Sequence, residues 1–155
     1  MRNRMILLVA ALLLITSSSA LAKDKDKNKN DLRAYVQQLY DAWGTLDPSK
    51  AAPFYAQDDN LAFYDVAPMK YRGWPEYAAG VPKQFADYSA GKFTVGDDFQ
   101  SRQKGDIAWT ATSWRAELTK KDGTKQNLEG RHTLVLEKRA GKWLIVHEHM
   151  SVPMQ

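Results

Sequence analysis

The apolar residues in the first half of the chain recur at helical spacing. From Asp31 onward they lie three and four positions apart, which places them on one side of a helix. The members of this stripe are Leu32, Tyr35, Val36, Leu39, Tyr40 and Trp43. Gly44 suits the end of the helix. Asp47-Pro48 then predicts a second short helix, because proline is favoured in a first helical turn.

The middle of the chain mixes a strand, a loop and a helix. LAFYDV (residues 61–66) is strand-like, and APMKYRG (residues 67–73) predicts a loop or a short strand. Residues 73–88 have a helical pattern, with Pro75 in the first turn. Gly80 and Pro82 predict a kink or a break within this helix.

After Gly91 the pattern changes to long strands joined by turns. The strands are predicted at residues 91–102, 105–119, 125–138 and 142–152. The turns between them are predicted at Lys104-Gly105, Asp122-Gly123 and Ala140-Gly141. Helices followed by antiparallel hairpins predict an α+β fold, with the helices packed on one face of a curved sheet.

The loop of the last hairpin decides its register. A two-residue loop at Ala140-Gly141 requires a positive φ at Ala140, which a Cβ disfavours. A three-residue loop from Arg139 to Gly141 puts only the glycine in the left-handed region, so we favour it. Lys138 then lies opposite Lys142.

This register predicts which side chains of the last two strands face the helices. The more continuous apolar face, which we expect to cover the helices, carries Leu134, Leu136, Leu144 and Val146. His132 lies opposite Glu148 on that face, where the apolar block becomes polar and a pocket would open, and Met150 lies at its far end. His147 and His149 project to the other face, which we expect to meet a second subunit.

The preceding hairpin leaves two registers open. A two-residue turn at Asp122-Gly123 places Ser113, Arg115 and Trp109 on the inner face. A one-residue change in loop length turns Trp114 inward instead, because the side-chain period of a strand is two.

The positive charge of the chain is confined to its N-terminal segments. The formal net charge is +4, but from Asp31 onward there are 16 basic and 16 acidic residues. This balance gives no electrostatic case for nucleic-acid binding. The chain has 0 cysteines, which excludes disulfides, thiol catalysis and a lipid-modified cysteine.

The N-terminus has the organisation of a secretory signal. MRNR is positive, MILLVAALLLI is apolar, and Ala20 and Ala22 are small residues suited to precede cleavage. The apolar run is shorter than the about 20 residues that span a membrane. We therefore expect a signal peptide at residues 1–22, a charged linker at residues 23–30 and one domain at residues 31–155. The predicted location is periplasmic or secreted, with no membrane association after signal removal.

Two stretches resemble a known family. DVAPMKYRGW (residues 65–74) and GRHTLVLEKRAGKWLIVHEHMS (residues 130–151) resemble SnoaL-like domains of the nuclear transport factor 2-like superfamily. The second is also similar to the association domain of calcium/calmodulin-dependent protein kinase II. The resemblance covers roughly residues 31–153. It implies a cone-shaped α+β barrel, in which a strongly bent antiparallel sheet wraps around N-terminal helices and leaves a deep pocket.

The resemblance implies a homodimer but does not select an activity. Such domains commonly dimerise through the outer surface of the sheet. Relatives include ketosteroid isomerases, polyketide cyclases, dehydratases and binding modules without known chemistry. The Asp base and the Tyr and Asp oxyanion donors of ketosteroid isomerases do not match here residue by residue.

The kinase association domain lines its pocket with arginines that this chain largely lacks. Gap-free alignment on GKW places Leu134 and Met150 at the last two of those positions, and Arg115 matches an earlier one for only one of the turn lengths. The resemblance therefore implies a much weakened anion site.

His132 and Glu148 are the best candidates for acid–base chemistry. A carboxylate across the strand raises the pKa of an imidazole and fixes its orientation, although a purely structural hydrogen bond is the alternative. Arg115 is suited to hold a carboxylate or an enolate, or else is a surface arginine. Asp65 follows Tyr64 near the expected mouth and has either a catalytic or a turn-capping role.

The remaining pocket candidates are apolar or small. We expect Tyr64, Trp74, Trp109, Ser113 and Met150 to contact a ligand, with core packing as the alternative for the tryptophans.

A metal site is a weaker hypothesis. His147 and His149 supply two ligands on one face, whereas catalytic zinc usually has three protein ligands. In the favoured register His132 points the other way, and in the two-residue-loop register all three share one face. We predict no metal and no other cofactor.

The sequence predicts an exported, homodimeric domain that binds a small, partly apolar molecule and lacks a recognisable complete catalytic set. The alternative is a non-redox isomerase, lyase or cyclase that transfers a proton beside a carbonyl, using His132, Glu148 and Arg115.

Overall fold

The computed structural model describes Lys27, Lys29 and residues 31–154. The predicted signal peptide lies outside the described residues. Of the predicted linker only Lys27 and Lys29 are described, and both are helical.

Within the described residues, three α-helices and one 3₁₀ turn precede or interrupt the sheet. Residues 31–44 form α1, Pro48–Ala51 form α2, and Gly73–Gln84 form α3. A 3₁₀ turn, Ala52–Phe54, follows α2 directly. The carboxylate of Asp47 caps α2 by accepting a hydrogen bond from the backbone N–H of Ser49, as its position before Pro48 predicts. None of the described helices is long and apolar enough to cross a membrane.

The predicted stripe of α1 is its buried face. Val36 and Leu39 are fully buried, and Leu32, Tyr40 and Trp43 are nearly so. They belong to one core cluster that also includes residues of α3 and of the inner sheet face. The helical spacing of the sequence therefore positions two polar aromatic side chains, Tyr40 and Trp43, against the sheet.

The predicted break in α3 is wrong, since the helix continues through Gly80 and Pro82. Gly80 provides space: a Cβ there would lie 2.1 Å from Cε1 of Tyr71. Pro82 lies two residues before the helix ends at Gln84, so its missing N–H affects only the last turn.

In the part of the chain that the structure describes, seven strands form one open sheet. They are β1 (Ala62–Tyr64), β2 (Tyr71–Arg72), β3 (Tyr88–Val95), β4 (Gln100–Lys104), β5 (Ile107–Lys120), β6 (Lys125–Arg139) and β7 (Lys142–Ser151). The order is β2-β1-β7-β6-β5-β3, with β4 also paired to β5. All pairs are antiparallel except β1 with β7. The curved sheet and the N-terminal helices confirm the predicted α+β cone, although the sheet does not close.

The first long strand predicted at residues 91–102 is two strands. A turn after Gly96 separates β3 from β4, and both pair with β5. The Asp98 carboxylate accepts hydrogen bonds from the backbone N–H and the hydroxyl of Ser113, which fastens this turn to β5.

The predicted loop of the last hairpin is wrong. Arg139 pairs with Lys142 across a two-residue turn in which Ala140 has φ 49° and Gly141 has φ 80°. A bulge follows, because Leu136 pairs with Ile145 whereas Val135 pairs with His147.

The bulge leaves Val146 without a partner and reverses the side-chain alternation of β7. Ile145 is therefore the buried residue before the bulge, in place of the predicted Leu144 and Val146, and Glu148 is the buried residue after it. The shorter loop and the bulge each shift the pairing by one residue, and the total shift of two keeps His132 and Glu148 facing inward. The predicted pairing of His132 with Glu148 is wrong, since His132 pairs with Met150 and Glu148 pairs with Leu134.

The hairpin between β5 and β6 takes the alternative register. Its loop has three residues, with Gly123 at φ 87°, and Trp114 lies opposite Gly130. Trp114 therefore points inward, and the inward orientation predicted for Ser113, Arg115 and Trp109 is wrong. Gly130 makes room for the indole, since a Cβ there would lie 2.8 Å from Cζ2 of Trp114.

Candidate functional site

A cavity of about 230 Å³ lies between the helices and the inner face of the sheet. Helix α1 contributes Tyr40 and Trp43, and α3 contributes Tyr77 and Val81 among others. Its walls are mainly apolar, with a few polar groups that converge from different elements. This combination is typical of a small-molecule site.

Glu148 is the buried anion beside this cavity. Its side chain is 1% exposed. The hydroxyl of Tyr55 donates a hydrogen bond of 2.6 Å to Oε2, and the hydroxyl of Tyr77 donates to Oε1. The indole N–H of Trp43 donates to the Tyr55 oxygen at 3.0 Å, which extends the network to α1. Each carboxylate oxygen thus has a phenol donor, as a buried charge requires.

The charge of Glu148 is maintained by its surroundings. Burial alone raises the pKa of this carboxyl. The attraction to His132 and the hydrogen bonds from Tyr55 and Tyr77 outweigh that effect, and the pKa lies below its ordinary value. Burial and the nearby Glu148 charge in turn raise the pKa of both phenols, so they remain protonated donors.

His132 forms the second buried polar group of the cavity wall. Its Nδ1 lies 2.9 Å from the hydroxyl oxygen of Tyr40, and its Nε2 lies 3.5 Å from Oε2 of Glu148. In the neutral ring this arrangement favours a hydrogen on Nε2, with the Tyr40 hydroxyl donating to Nδ1. Among the described residues Nε2 has no hydrogen-bond partner, although the side chain is only 1% exposed. A buried polar atom without a partner costs roughly 1–3 kcal/mol, and because Nε2 itself is buried, a ligand in the cavity reaches it only if the ring or its neighbours move.

Asp65 is the third ionisable group of the wall. Oδ1 accepts from the backbone N–H of Val66 at 2.6 Å, and Oδ2 accepts from the side-chain amide of Gln84 at 3.0 Å. Burial, followed by repulsion from Glu148, raises the pKa of Asp65 to about 6. Two carboxylates in one cavity therefore have pKa values shifted in opposite directions, an arrangement that acid–base sites use.

Four of the residues predicted from the sequence line this cavity. They are His132, Glu148, Asp65 and Met150. Their proximity follows from the inner-face alternation of β6 and β7 and from the end of β1.

The other five predicted residues lie outside the cavity wall. Trp74 is buried behind it and stacks on the ring of Tyr55 at 4.7 Å. Tyr64 lies on the outer face, because its neighbour Phe63 takes the inward position in β1. Arg115 and Trp109 are exposed on that face, and the Ser113 hydroxyl binds Asp98.

Sequence reasoning missed the tyrosines that complete the site. Tyr40 was predicted only as a member of the apolar stripe of α1, and Tyr55 and Tyr77 were not among the predicted site residues. The available signal was chemical: a buried phenol needs a partner for its hydroxyl, and three tyrosines at buried positions indicate a polar group between them.

His147 and His149 lie on the outer face, as expected from the sequence. Their rings lie 5.5 Å and 5.8 Å from the ring of Tyr64. His147 Nδ1 lies 2.7 Å from the carbonyl oxygen of Ala62, which fixes that ring to β1. Within residues 31–154 and Lys27 and Lys29, no group of three or more His, Asp or Glu side chains is arranged to hold a metal ion.

Comparison with known proteins identifies a family for this chain. Residues 32–155 match the family described as SnoaL-like domain. No curated protein matches the sequence.

Solved structures share this fold at low sequence identity. A nuclear transport factor 2-like superfamily protein from Salmonella enterica is 19% identical, with a TM-score of 0.74 over 84% of this chain and 94% of that one. The association domain of C. elegans calcium/calmodulin-dependent protein kinase II is 18% identical, with a TM-score of 0.65 over 83% of this chain and 98% of that one. A Streptomyces avermitilis protein of the same fold, provisionally described as a dehydratase, is 14% identical, with a TM-score of 0.69 over 86% and 99%. At these identities the likeness establishes the fold alone.

Proposed function

The chain belongs to the SnoaL-like domain family, and from this premise we propose that its cavity binds a small, partly apolar molecule. The observation that carries the proposal is a mainly apolar cavity of about 230 Å³ whose wall contains the ionisable side chains of Asp65, His132 and Glu148. A ligand with one polar group contacts these side chains, and its apolar part contacts the aromatic wall. Burial of apolar surface then contributes about 25 cal/mol per Å² to the affinity, before the loss of ligand freedom is subtracted.

Native mass spectrometry of the protein purified from its host tests this proposal. The wild type is expected to retain a small molecule that organic solvent releases. Leu128→Trp, which fills part of the cavity, is expected to lose it. Met69→Trp is the matched control, because Met69 is 82% exposed and lies outside the cavity wall. A wild type that carries no ligand, or equal retention by both variants, contradicts the proposal.

Enzymatic proton transfer is the second candidate function. It is favoured by the opposite pKa shifts of Asp65 and Glu148, and by the provisional description of one structural neighbour as a dehydratase. In this function Asp65, with a pKa of about 6, removes or delivers a proton at carbon beside a carbonyl that Nε2 of His132 polarises. Arg115 takes no part, because it lies on the outer face.

Deuterium incorporation distinguishes the two functions. The ligand recovered from the protein is incubated in D₂O with the wild type, and exchange at its carbon positions is followed by NMR. A catalyst is expected to exchange a carbon-bound hydrogen, and His132→Gln or Asp65→Asn to abolish the exchange. A binding module leaves the ligand unlabelled.

We also propose that the protein is exported and dimeric. Export is supported by the charge and apolar pattern of residues 1–22, and the mature protein is expected to begin near Lys23. Intact mass measurement of protein from the host tests this, since a mass that includes residues 1–22 contradicts it. Dimerisation through the outer sheet face is supported by the exposed side chains of Trp109 and Ile107.

A further inference from the structure

We propose that the preferred ligand of the cavity is an organic cation, bound between the carboxylate of Asp65 and an aromatic wall. This inference rests on the proposed ligand-binding function and specifies the ligand class. It is carried by the charge, the composition and the size of the cavity.

The charge of the wall is negative for either state of His132. Its described lining contains two carboxylates, Asp65 and Glu148, one imidazole and no lysine or arginine. With both carboxylates ionised the wall carries −2 when His132 is neutral and −1 when His132 is protonated. An anionic ligand therefore meets repulsion without a compensating cation, whereas a cation meets attraction that low local polarity strengthens.

Asp65 is the carboxylate that is available to a ligand. Glu148 is saturated by two phenols and adjoins His132. Asp65 has only the amides of Val66 and Gln84, and among residues 31–154 no lysine or arginine forms an ion pair with it. The titratable side chains that face it are Glu148 from β7, His132 from β6, Tyr71 from β2 and Tyr77 from α3. None of these neighbours neutralises it, since the one cationic candidate, His132, adjoins Glu148 instead.

The rest of the wall is suited to a cation by its aromatic faces. The aromatic residues that line the cavity are Tyr40, Trp43, Tyr77, Phe85, Tyr88, Phe93 and Trp114. The negative faces of aromatic rings attract ammonium groups by about 0.5–2 kcal/mol each, with the larger values in desolvated sites. A cation of low hydration also retains the apolar contacts that this wall offers.

The size of the cavity limits the ligand to about one substituted ring. A cavity of about 150 Å³ holds benzene, and this one has about 230 Å³. Phenyltrimethylammonium, with about ten non-hydrogen atoms, is an appropriate probe. Its charge does not titrate, so any pH dependence of its binding comes from the protein.

Three isosteric probes test the inference by calorimetry or protein-observed NMR. They are phenyltrimethylammonium, the neutral tert-butylbenzene and the anionic benzenesulfonate. The cation is expected to bind at least about tenfold more tightly than the neutral probe near pH 7.5, and the anion more weakly than both.

The variant Asp65→Asn and the pH dependence of binding identify the residue that attracts the cation. The variant is expected to lose most of the preference for the cation while it keeps its affinity for the neutral probe. Asp106→Asn is the matched control, because Asp106 is exposed and lies outside the cavity wall. In the wild type the affinity for the cation is expected to fall about tenfold between about pH 7.5 and about pH 5, as Asp65 becomes protonated. In Asp65→Asn that decrease is expected to shrink.

Each contrary outcome has a distinct meaning. Equal affinity for the cationic and neutral probes overturns the cation inference and leaves the proposed binding function intact. Tighter binding of the anion overturns it in the same way. If no probe binds and Leu128→Trp changes no ligand retention, both the inference and the proposed function are wrong.

Discussion

At the scale of single residues, Asp65 couples the stability of the protein to pH. Its pKa is about 6 in the folded protein, whereas an ordinary aspartate has a pKa of 3.8. Between these pH values the folded state therefore binds the proton more tightly than the unfolded state. The free energy of unfolding therefore decreases through this group as the pH rises from about 4 to about 6. Converted in full, the pKa shift corresponds to a change of about 3 kcal/mol in the free energy of unfolding. Because the side chain is partly exposed, we expect a change of about 1–2 kcal/mol.

Asp65→Asn is accordingly expected to stabilise the protein by about 1–2 kcal/mol near pH 7.5 and to have no effect near pH 4. Urea unfolding at several pH values measures the difference, with Asp106→Asn as the exposed control. A difference that is independent of pH contradicts the raised pKa.

The phenol donors of Glu148 give a second residue-level prediction. Tyr77→Phe removes one hydrogen bond from a fully buried carboxylate, and is expected to lower the free energy of unfolding by about 1.5–3 kcal/mol. Tyr88→Phe is the control, because its hydroxyl donates to the neutral amide oxygen of Gln126 in a half-buried position, where the expected loss is about 0.5–1.5 kcal/mol. Equal losses in the two variants would show that Glu148 carries no charge.

The sequence predicted part of this site because strand alternation is local and tertiary partners are not. His132 and Glu148 were placed together by the two-residue period of neighbouring strands. Tyr55 and Tyr77 reach Glu148 over separations of 93 and 71 residues, which no local pattern encodes. Asp65 was identified as a candidate, but its raised pKa depends on burial that only the assembled fold creates.

At the scale of elements, the β6–β7 turn holds an unfavourable conformation. Ala140 has φ 49°, a left-handed value that its Cβ disfavours and that asparagine tolerates well. Ala140→Asn is expected to raise the free energy of unfolding by about 0.5–1 kcal/mol, which thermal unfolding measures as an upward shift of a few degrees.

Gly141→Ala, at φ 80°, is the matched control and is expected to destabilise the protein by about 1 kcal/mol. If Ala140→Asn has no effect, the hairpin in solution has the longer loop that the sequence favoured.

Element boundaries were predictable where turn residues and periodicity agreed. The last three strands lie within two residues of their predicted bounds, and α1 ends at the predicted Gly44. The two errors of register arose because loop length was inferred from intrinsic φ preferences. Those preferences amount to about 1 kcal/mol, and burial of Ile145, Leu136 and Trp114 outweighs them.

At the scale of the whole molecule, the outer sheet face is the proposed dimer surface. Trp109 is 40% exposed there and lies opposite Val135 on the neighbouring strand. Trp109→Glu is expected to convert a dimer into a monomer, because a charge in the interface core lacks a partner. Light scattering coupled to size-exclusion chromatography measures the mass.

Lys83→Glu, on the exposed side of α3, is the control for a general effect of charge and is expected to remain dimeric. A monomeric wild type at micromolar concentration contradicts the proposed dimer.

The overall fold was more predictable than the site. Helices followed by long hairpins already limited the architecture to an α+β layer, and the resemblance of residues 65–74 and 130–151 specified the cone. The open sheet edge and the turn after Gly96 were not predicted, because both depend on pairing between strands distant in sequence.

Because Val146 has no partner on β6, the turn alone does not decide which face the later side chains of β7 take. If Val146 instead paired with Val135, the turn and the strand order would stay in place, but every later side chain of β7 would change face. Two imidazoles would then enter the chamber and the Glu148 carboxylate would leave it, so that three imidazoles and one carboxylate would replace one imidazole and two carboxylates. For a fold shared by proteins of under 25% identity, the gain or loss of a bulge in a strand of constant length is thus a route to a new interior chemistry that point substitution reaches only through several steps.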